Sequence, residues 1–398
     1  MINSKIHFIS ASTWPFILMV LMLVTLLSLS IEITSCTPEV QTNSEKIKAL
    51  HLEVLPEVSY PSNNMPGDPK VMLGKLLFWD PVLSGQKDVA CVTCHLPNYG
   101  YGDGLDLSIG VGGVGEGVSR QQLDMSIPPT GRNAPSIINT AYNGLLNSTQ
   151  HYDPLNGIMF WDGRRRSLET QALGPFTSFN TMRGRAYGAD VTYDSIIKRL
   201  KNIPEYVQLF TEAFGQSESV TIENLVQAIA TFERSIVSNN SPYDQYVKGN
   251  ANALSVDQEE GLLLFFGKAN CSSCHSGPMF SDYNYYNLGV PYNNKIPPDS
   301  GRDQKFLFRT PTLRNVTLTA PFMHSGVYAT LEEVLEHYDG GISKNPAIER
   351  VDKKMVPLHL TAREKQVLLS FLESLTDNQF DQTRPLTVPS GLKPGGNL

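Results

Sequence analysis

Two copies of Cys-x-x-Cys-His, CVTCH at 91–95 and CSSCH at 271–275, constrain this 398-residue chain more than any other feature. Thiols two residues apart can hold zinc, cycle as a redox disulfide or anchor haem. A zinc site needs four soft ligands in a tetrahedron, and knuckles sharing one ion are usually close in sequence, whereas these lie in opposite halves. A thioredoxin-like dithiol needs a βαβ context and gives no task to the histidine. The c-type haem reading uses every position. Cys91 and Cys94, and again Cys271 and Cys274, bond to haem vinyl groups, and His95 and His275 become the proximal iron ligands. The motifs therefore predict two covalently bound haem c groups.

The fifth cysteine, Cys36, follows an uncharged run from Phe8 to Ile31 and the sequence EITSC. That run is long enough to span a bilayer as an anchor. Ile33, Thr34 and Ser35 before Cys36 favour a lipoprotein-type signal peptide over 1–35, with Cys36 as the lipidated first residue. Either reading delivers residues 37–398 across a membrane, so a periplasmic or cell-envelope location is expected. The net charge of −7 is dispersed, with no lysine and arginine block, which argues against nucleic acid as a partner.

The stretches VMLGKLLFWDPVLS and DQEEGLLLFFGKAN, each placed before a haem motif, read as one helix used twice. IENLVQAIATFERSI and AREKQVLLSFLESL have helical apolar spacing suited to closing each unit. The expected fold is mostly α-helical with two cytochrome c-like haem domains. An N-terminal linker spans 37–67, the first domain 68–240, the second 241–376 and a tail 377–398, with the junction near 238–256. Gly110, Gly112 and Gly115 match G-x-G-x-x-G, but no strand pattern precedes them and no amphipathic helix follows. The segment reads as a flexible loop near the first haem.

GRNAPSIINTAYN, MFWDGRRRSLETQALGP and RTPTLRNVTLTAPFMHSG resemble signature blocks of the bacterial di-haem cytochrome c peroxidase and MauG family, and the likeness runs from about 68 to 376. It implies that the first haem reacts with hydrogen peroxide and the second relays electrons. Trp161 then lies between the haems, and a calcium ion sits on Asn133, Thr319 and the carbonyl of Pro321. The family's distal pocket maps onto Gln171, Pro175 and Thr181.

Three departures from the family pattern carry information. The histidine that caps the first haem in resting peroxidases, sixteen residues after the haem-binding one, is Val111 here, which leaves that iron position open. The methionine expected fourteen residues after His324 is Tyr338, as in MauG, and it ranks above His337 and Met323 as ligand of the second haem. The catalytic glutamate is replaced by Thr181, whose hydroxyl cannot move protons near neutral pH. Glu169, on the same stretch, reads as part of a solvated helix face.

The leading expectation is a peroxidase that draws electrons from a small cytochrome c or cupredoxin. The alternatives are a MauG-like oxidase acting on a protein substrate, or a non-catalytic electron-transfer cytochrome.

Overall fold

The computed structural model describes residues 42–398, so the segment read as signal peptide, together with Cys36, lies outside the described residues. Residues 46–398 form one compact unit. Its order is α1 (Asn43–Lys48), α2 (Asp68–Trp79), α3 (Leu168–Thr177), α4 (Thr192–Lys201), α5 (Pro204–Phe214), α6 (Ile222–Ser235), α7 (Pro242–Val247), α8 (Val256–Phe266), α9 (Leu331–Gly340) and α10 (Ala362–Glu373). The strands are three two-residue antiparallel pairs, β1–β2 (Gly113–Val114 with Gln121–Gln122), β3–β4 (Ile158–Met159 with Arg165–Arg166) and β5–β6 (Tyr285–Tyr286 with Phe308–Arg309). The protein is thus mostly helical, as the sequence predicts. Among the described residues no helix is long and apolar enough to cross a membrane.

Local chemistry sets the helix starts. Ser255 with Gln258, Thr330 with Glu333 and Thr361 with Glu364 form reciprocal capping boxes at the N-termini of α8, α9 and α10. Pro204 and Pro242 open α5 and α7, where a missing N–H costs nothing.

The same helix pair occurs twice. Before the first motif α2 crosses α6, and before the second α8 crosses α10. At Gly74 an added Cβ would lie 2.0 Å from the Ala228 carbonyl oxygen and 2.8 Å from Phe232 Cβ. At Gly261 the corresponding distances are 1.9 Å to the Val367 oxygen and 2.8 Å to Phe371 Cβ. Only glycine allows backbones this close. One turn on, Phe78 packs against Tyr101 and Phe232 with ring centroids at 6.2 and 5.3 Å, and Phe265 against Phe280 and Phe371 at 5.8 and 5.1 Å. Asn139 and Asn315, both left-handed at φ 60°, donate their N–H to Ile236 and Leu375, and their Oδ1 atoms accept from the N–H of Ser238 and Asp377. The repetition therefore extends to single side chains.

Two expectations need correction. The glycine-rich segment is not a flexible loop. Arg120, itself buried, folds back and donates to the carbonyls of Ile109 (2.5 Å), Gly110 (2.9 Å), Gly113 (3.1 Å) and Gly115 (2.9 Å), which fixes the β1–β2 turn. Glu169 is not on a solvated face. Its carboxylate accepts from both terminal nitrogens of the buried Arg234, at 2.6 and 3.0 Å, and from Asn64 at 2.9 Å.

The linker and tail are packed rather than free. The Pro56 carbonyl accepts from the Tyr142 hydroxyl at 2.8 Å. The tail returns to the first half, where Asp80 accepts from Ser390 Oγ at 2.7 Å, Lys75 pairs with Asp381 at 2.6 Å and the Trp79 carbonyl accepts from the Gly395 N–H at 2.7 Å. The junction is also ordered, with Ser238 bonded to both Asn139 and Asn315.

Candidate haem sites

Each motif folds as one tight turn, Cys91–Thr93 and Cys271–Ser273, directly after its helix. The chain then loops back so that a carbonyl six or five residues past the histidine meets the imidazole. His95 Nδ1 donates to the Tyr101 oxygen at 3.0 Å, and His275 Nδ1 donates to the Phe280 oxygen at 2.9 Å. A carbonyl can only accept, so both rings carry hydrogen on Nδ1 and keep the Nε2 lone pair for a metal. Burial lowers both histidine pKa values, which also favours the neutral form. Cys91, Cys94, Cys271 and Cys274 are unbridged. Burial pushes the Cys94 and Cys271 thiols up to about 12, and Cys91 is raised as well, so these are not activated redox thiols.

The first cavity is lined by Cys91, Cys94, His95, Gln171, Pro175 and Thr181, so the structure brings the sequence-derived distal residues to the first motif. Gln171 and Pro175 come from α3, and Thr181 from the wide π turn Phe179–Arg183 that follows it. The Thr181 hydroxyl lies 2.8 Å from Ser178 Oγ. The turn backs onto the glycine-rich segment, where a Cβ on Gly110 would meet the Asn180 and Thr181 oxygens at 2.4 and 2.5 Å. Val111 is fully buried in the core cluster with Ala172 and Met182 and offers no donor atom. Among its further wall residues is a carboxyl that sequence reasoning missed, Glu233 of α6.

The second cavity is lined by Cys271, Cys274, His275 and Tyr338, with Met323, Trp161 and His324 also on its wall. His337, adjacent to Tyr338 on α9, is fully buried and has both ring nitrogens engaged. Nε2 donates to the Leu288 oxygen at 2.9 Å, so Nδ1 accepts from the Tyr328 hydroxyl at 3.0 Å. Burial and the nearby thiols raise the Tyr338 phenol pKa. Trp161 donates its indole N–H to the Asn133 carbonyl at 2.9 Å and accepts the Arg309 N–H at 2.7 Å. Its ring and that of His324 meet edge to face, with centroids 6.5 Å apart, and His324 in turn stacks on Phe308 at 3.5 Å.

Asn133, Thr319 and Pro321 line this same cavity. The Asn133 amide donates to the Leu105 oxygen at 2.9 Å. Among the described residues no cluster of three or more His, Cys, Asp or Glu side chains forms a metal site.

The donor sets fit haem c. Each cavity combines two free thiols, one imidazole with Nδ1 already committed, and a largely hydrocarbon wall.

A family model described as di-haem cytochrome c peroxidase matches residues 68–252. The methylamine utilization protein MauG of Methylorubrum extorquens is 35% identical over 324 residues, covering 80% of this chain and 81% of its own. Cytochrome-c peroxidase IdrP1 of a Pseudomonas species is 35% identical over 384 residues, covering 86% and 90%. The crystal structure of a MauG-like protein associated with microbial copper homeostasis superposes with a TM-score of 0.67 at 30% identity, covering 81% of this chain and 94% of its own. The diheme peroxidase BthA from Burkholderia thailandensis shares the fold, with a TM-score of 0.63 at 23% identity over 83% and 91% of the two chains.

Proposed function

The chain belongs to the di-haem cytochrome c peroxidase family that includes MauG, and from that premise we propose that it reduces hydrogen peroxide with electrons from a small redox protein. One observation carries this reading: two cavities built on one repeated plan, each with a pair of free thiols and a histidine whose Nδ1–H is fixed by a backbone carbonyl. Bound haem would supply the one-electron redox chemistry and a metal position for peroxide.

The chain's own residues do the rest. Cys91, Cys94, Cys271 and Cys274 hold the two groups covalently, and His95 and His275 present Nε2 to the metal. In the first pocket Gln171 and Pro175 shape the space open to peroxide, and Val111 contributes no competing ligand. Thr181 can orient a water or peroxide by its hydroxyl but cannot carry a proton as a carboxyl would. In the second, Tyr338 is the proposed second iron ligand. Trp161, held by Asn133 and Arg309, provides an aromatic step for electrons between the halves. Asn133, Thr319 and Pro321 would give calcium hard oxygen donors, which suits that ion.

The proposed donor is a small periplasmic cytochrome c or cupredoxin. The periplasmic location, the signal peptide and the lipid anchor at Cys36 rest on the N-terminal sequence alone.

The test is steady-state peroxide reduction by the intact di-haem protein with several reduced donor proteins. Turnover supports the proposal. A second reading, oxidation of a bound protein as in a MauG-like oxidase, is favoured by Tyr338 at the second cavity, and predicts slow turnover with a long-lived oxidised spectrum. Neither behaviour, with both haems attached, would overturn both and leave an electron-transfer cytochrome.

A further inference from the structure

The repeated helix pair sets Glu233 apart. Phe232 and Phe371 occupy equivalent crossings with Gly74 and Gly261, so the next residue of α6, Glu233, corresponds to Leu372 of α10. The preceding turn agrees, because Ile229 lines the first cavity and Leu368 the second. Both following residues line their cavities as well. The second site therefore has a leucine on this wall, whereas the first has a carboxyl that is only 6% exposed.

A buried carboxyl costs free energy unless something compensates it, and here only the charge of Arg234 does so, in part. Its natural counterion, Arg234, has both terminal nitrogens on Glu169. Among the described residues no side-chain hydrogen bond reaches the Glu233 carboxyl. The ionisable groups that face it are Cys91 from the first motif, Glu169 from α3 and Arg234 from its own helix. The two lysines of the packed helix α2 are engaged elsewhere, Lys70 with Asn64 and Lys75 with Asp381, and its one carboxylate, Asp68, lies in its first turn. The contact at Thr140–Tyr142 offers only the Tyr142 hydroxyl, which is bound to Pro56. Burial is the dominant influence, offset in part by Arg234 and reinforced by Glu169, and it pushes the carboxyl up to about 8.

We propose that Glu233 is the proton-holding group of the first haem pocket, its carboxylate taking one proton from solvent when an electron enters and returning it when the electron leaves. The inference rests on the reading that haem c is attached at Cys91 and Cys94. The physical cause is Coulombic, since an added electron makes a neighbouring negative carboxylate less favourable and raises its proton affinity. The leucine at 372 gives the second site no such group, so its reduction should not draw a proton at this position. The arrangement places a titrating acid in the pocket whose family position for one is occupied by Thr181.

The test is spectroelectrochemical titration of the intact di-haem protein from about pH 6 to about pH 10, comparing wild type with Glu233→Gln and Glu233→Leu. In wild type the reduction equilibrium of the first haem should fall by up to tenfold per pH unit, which is 59 mV for a one-electron couple, within this range. In both variants that dependence should flatten while the second haem is unchanged. A slope that persists in Glu233→Gln, or is absent from wild type, overturns the proposal. Redox-induced infrared difference spectra of the unmodified protein need no variant. Above about pH 8, where the oxidised protein holds the carboxyl ionised, a protonated-carboxyl band must appear on reduction and shift in deuterated water, and its absence is equally fatal. Covalent haem counting is the separate control, because a protein without haem at the first motif fails the underlying reading before the carboxyl is reached.

Discussion

Gly74→Ala and Gly261→Ala test the duplicated architecture at its tightest points. A new Cβ would stand 2.0 Å from the Ala228 oxygen or 1.9 Å from the Val367 oxygen, more than an ångström inside ordinary contact. The obstacle is a helix backbone, so no rotamer change relieves it and the two helices must part. Overpacking of this kind costs about 1–3 kcal/mol, and a rigid carbonyl partner places it near about 3 kcal/mol. Alanine recovers up to about 1 kcal/mol of helix propensity, leaving roughly 2 kcal/mol net. At about 2–4 °C per kcal/mol for a large domain, the apparent Tm should drop by about 4–8 °C in each variant. Gly67→Ala is the control, because its Cβ meets nothing within 4 Å. Differential scanning calorimetry of the purified proteins makes the comparison. Gly74→Ala and Gly261→Ala proteins that melt with the control would refute the close crossing, and with it the common plan of the two halves.

Tyr338→Phe should change the coordination spectrum of the second haem and raise its reduction potential, because a phenolate favours the ferric state; electron paramagnetic resonance and redox titration check it, and an unchanged spectrum removes the ligand assignment. Thr181→Glu should speed the reaction of peroxide with the first haem by roughly one to three orders of magnitude in stopped-flow mixing; an unaltered rate with an intact spectrum would mean that proton supply there is not limiting. Folding stability should respond to pH through two carboxyls of opposite sign. Glu169 is held low in the folded state by Arg234, so its contribution is present above the unfolded carboxylate pKa and is lost as acid protonates it, and Glu169→Gln should blunt that loss. Glu233 is held high by burial, so wild type should lose stability relative to Glu233→Gln as pH rises from about 4.5 to about 8, and denaturant midpoints across that range measure it.

The haem sites are legible in the sequence because their chemistry is local. Two thiols and a histidine within five residues need no tertiary information, and the apolar spacing of α2, α6, α8 and α10 marks the helices that flank them. Long-range partners are what the sequence conceals. Glu169 has the spacing of a solvated helical position, and only folding brings Arg234 onto it from α6. The glycines at 110–115 look free because Arg120, the group that ties them, acts through backbone carbonyls that carry no sequence signature. His337 and Tyr338 are neighbours in sequence yet about 100° apart around α9, so which one faces the cavity depends on how that helix is docked. Glu233 did leave a trace, the pairing of FERSI at 232–236 with FLESL at 371–375, but its meaning depends on the glycine crossings that set the register.

Mass spectrometry of the denatured, purified protein bears most directly on the central claim. Two haem masses should remain covalently attached to the chain. Replacing Cys91 and Cys94 with alanine should remove one of them, and replacing Cys271 and Cys274 should remove the other. A wild-type protein carrying a single haem, or zinc in place of haem at either motif, would contradict the account.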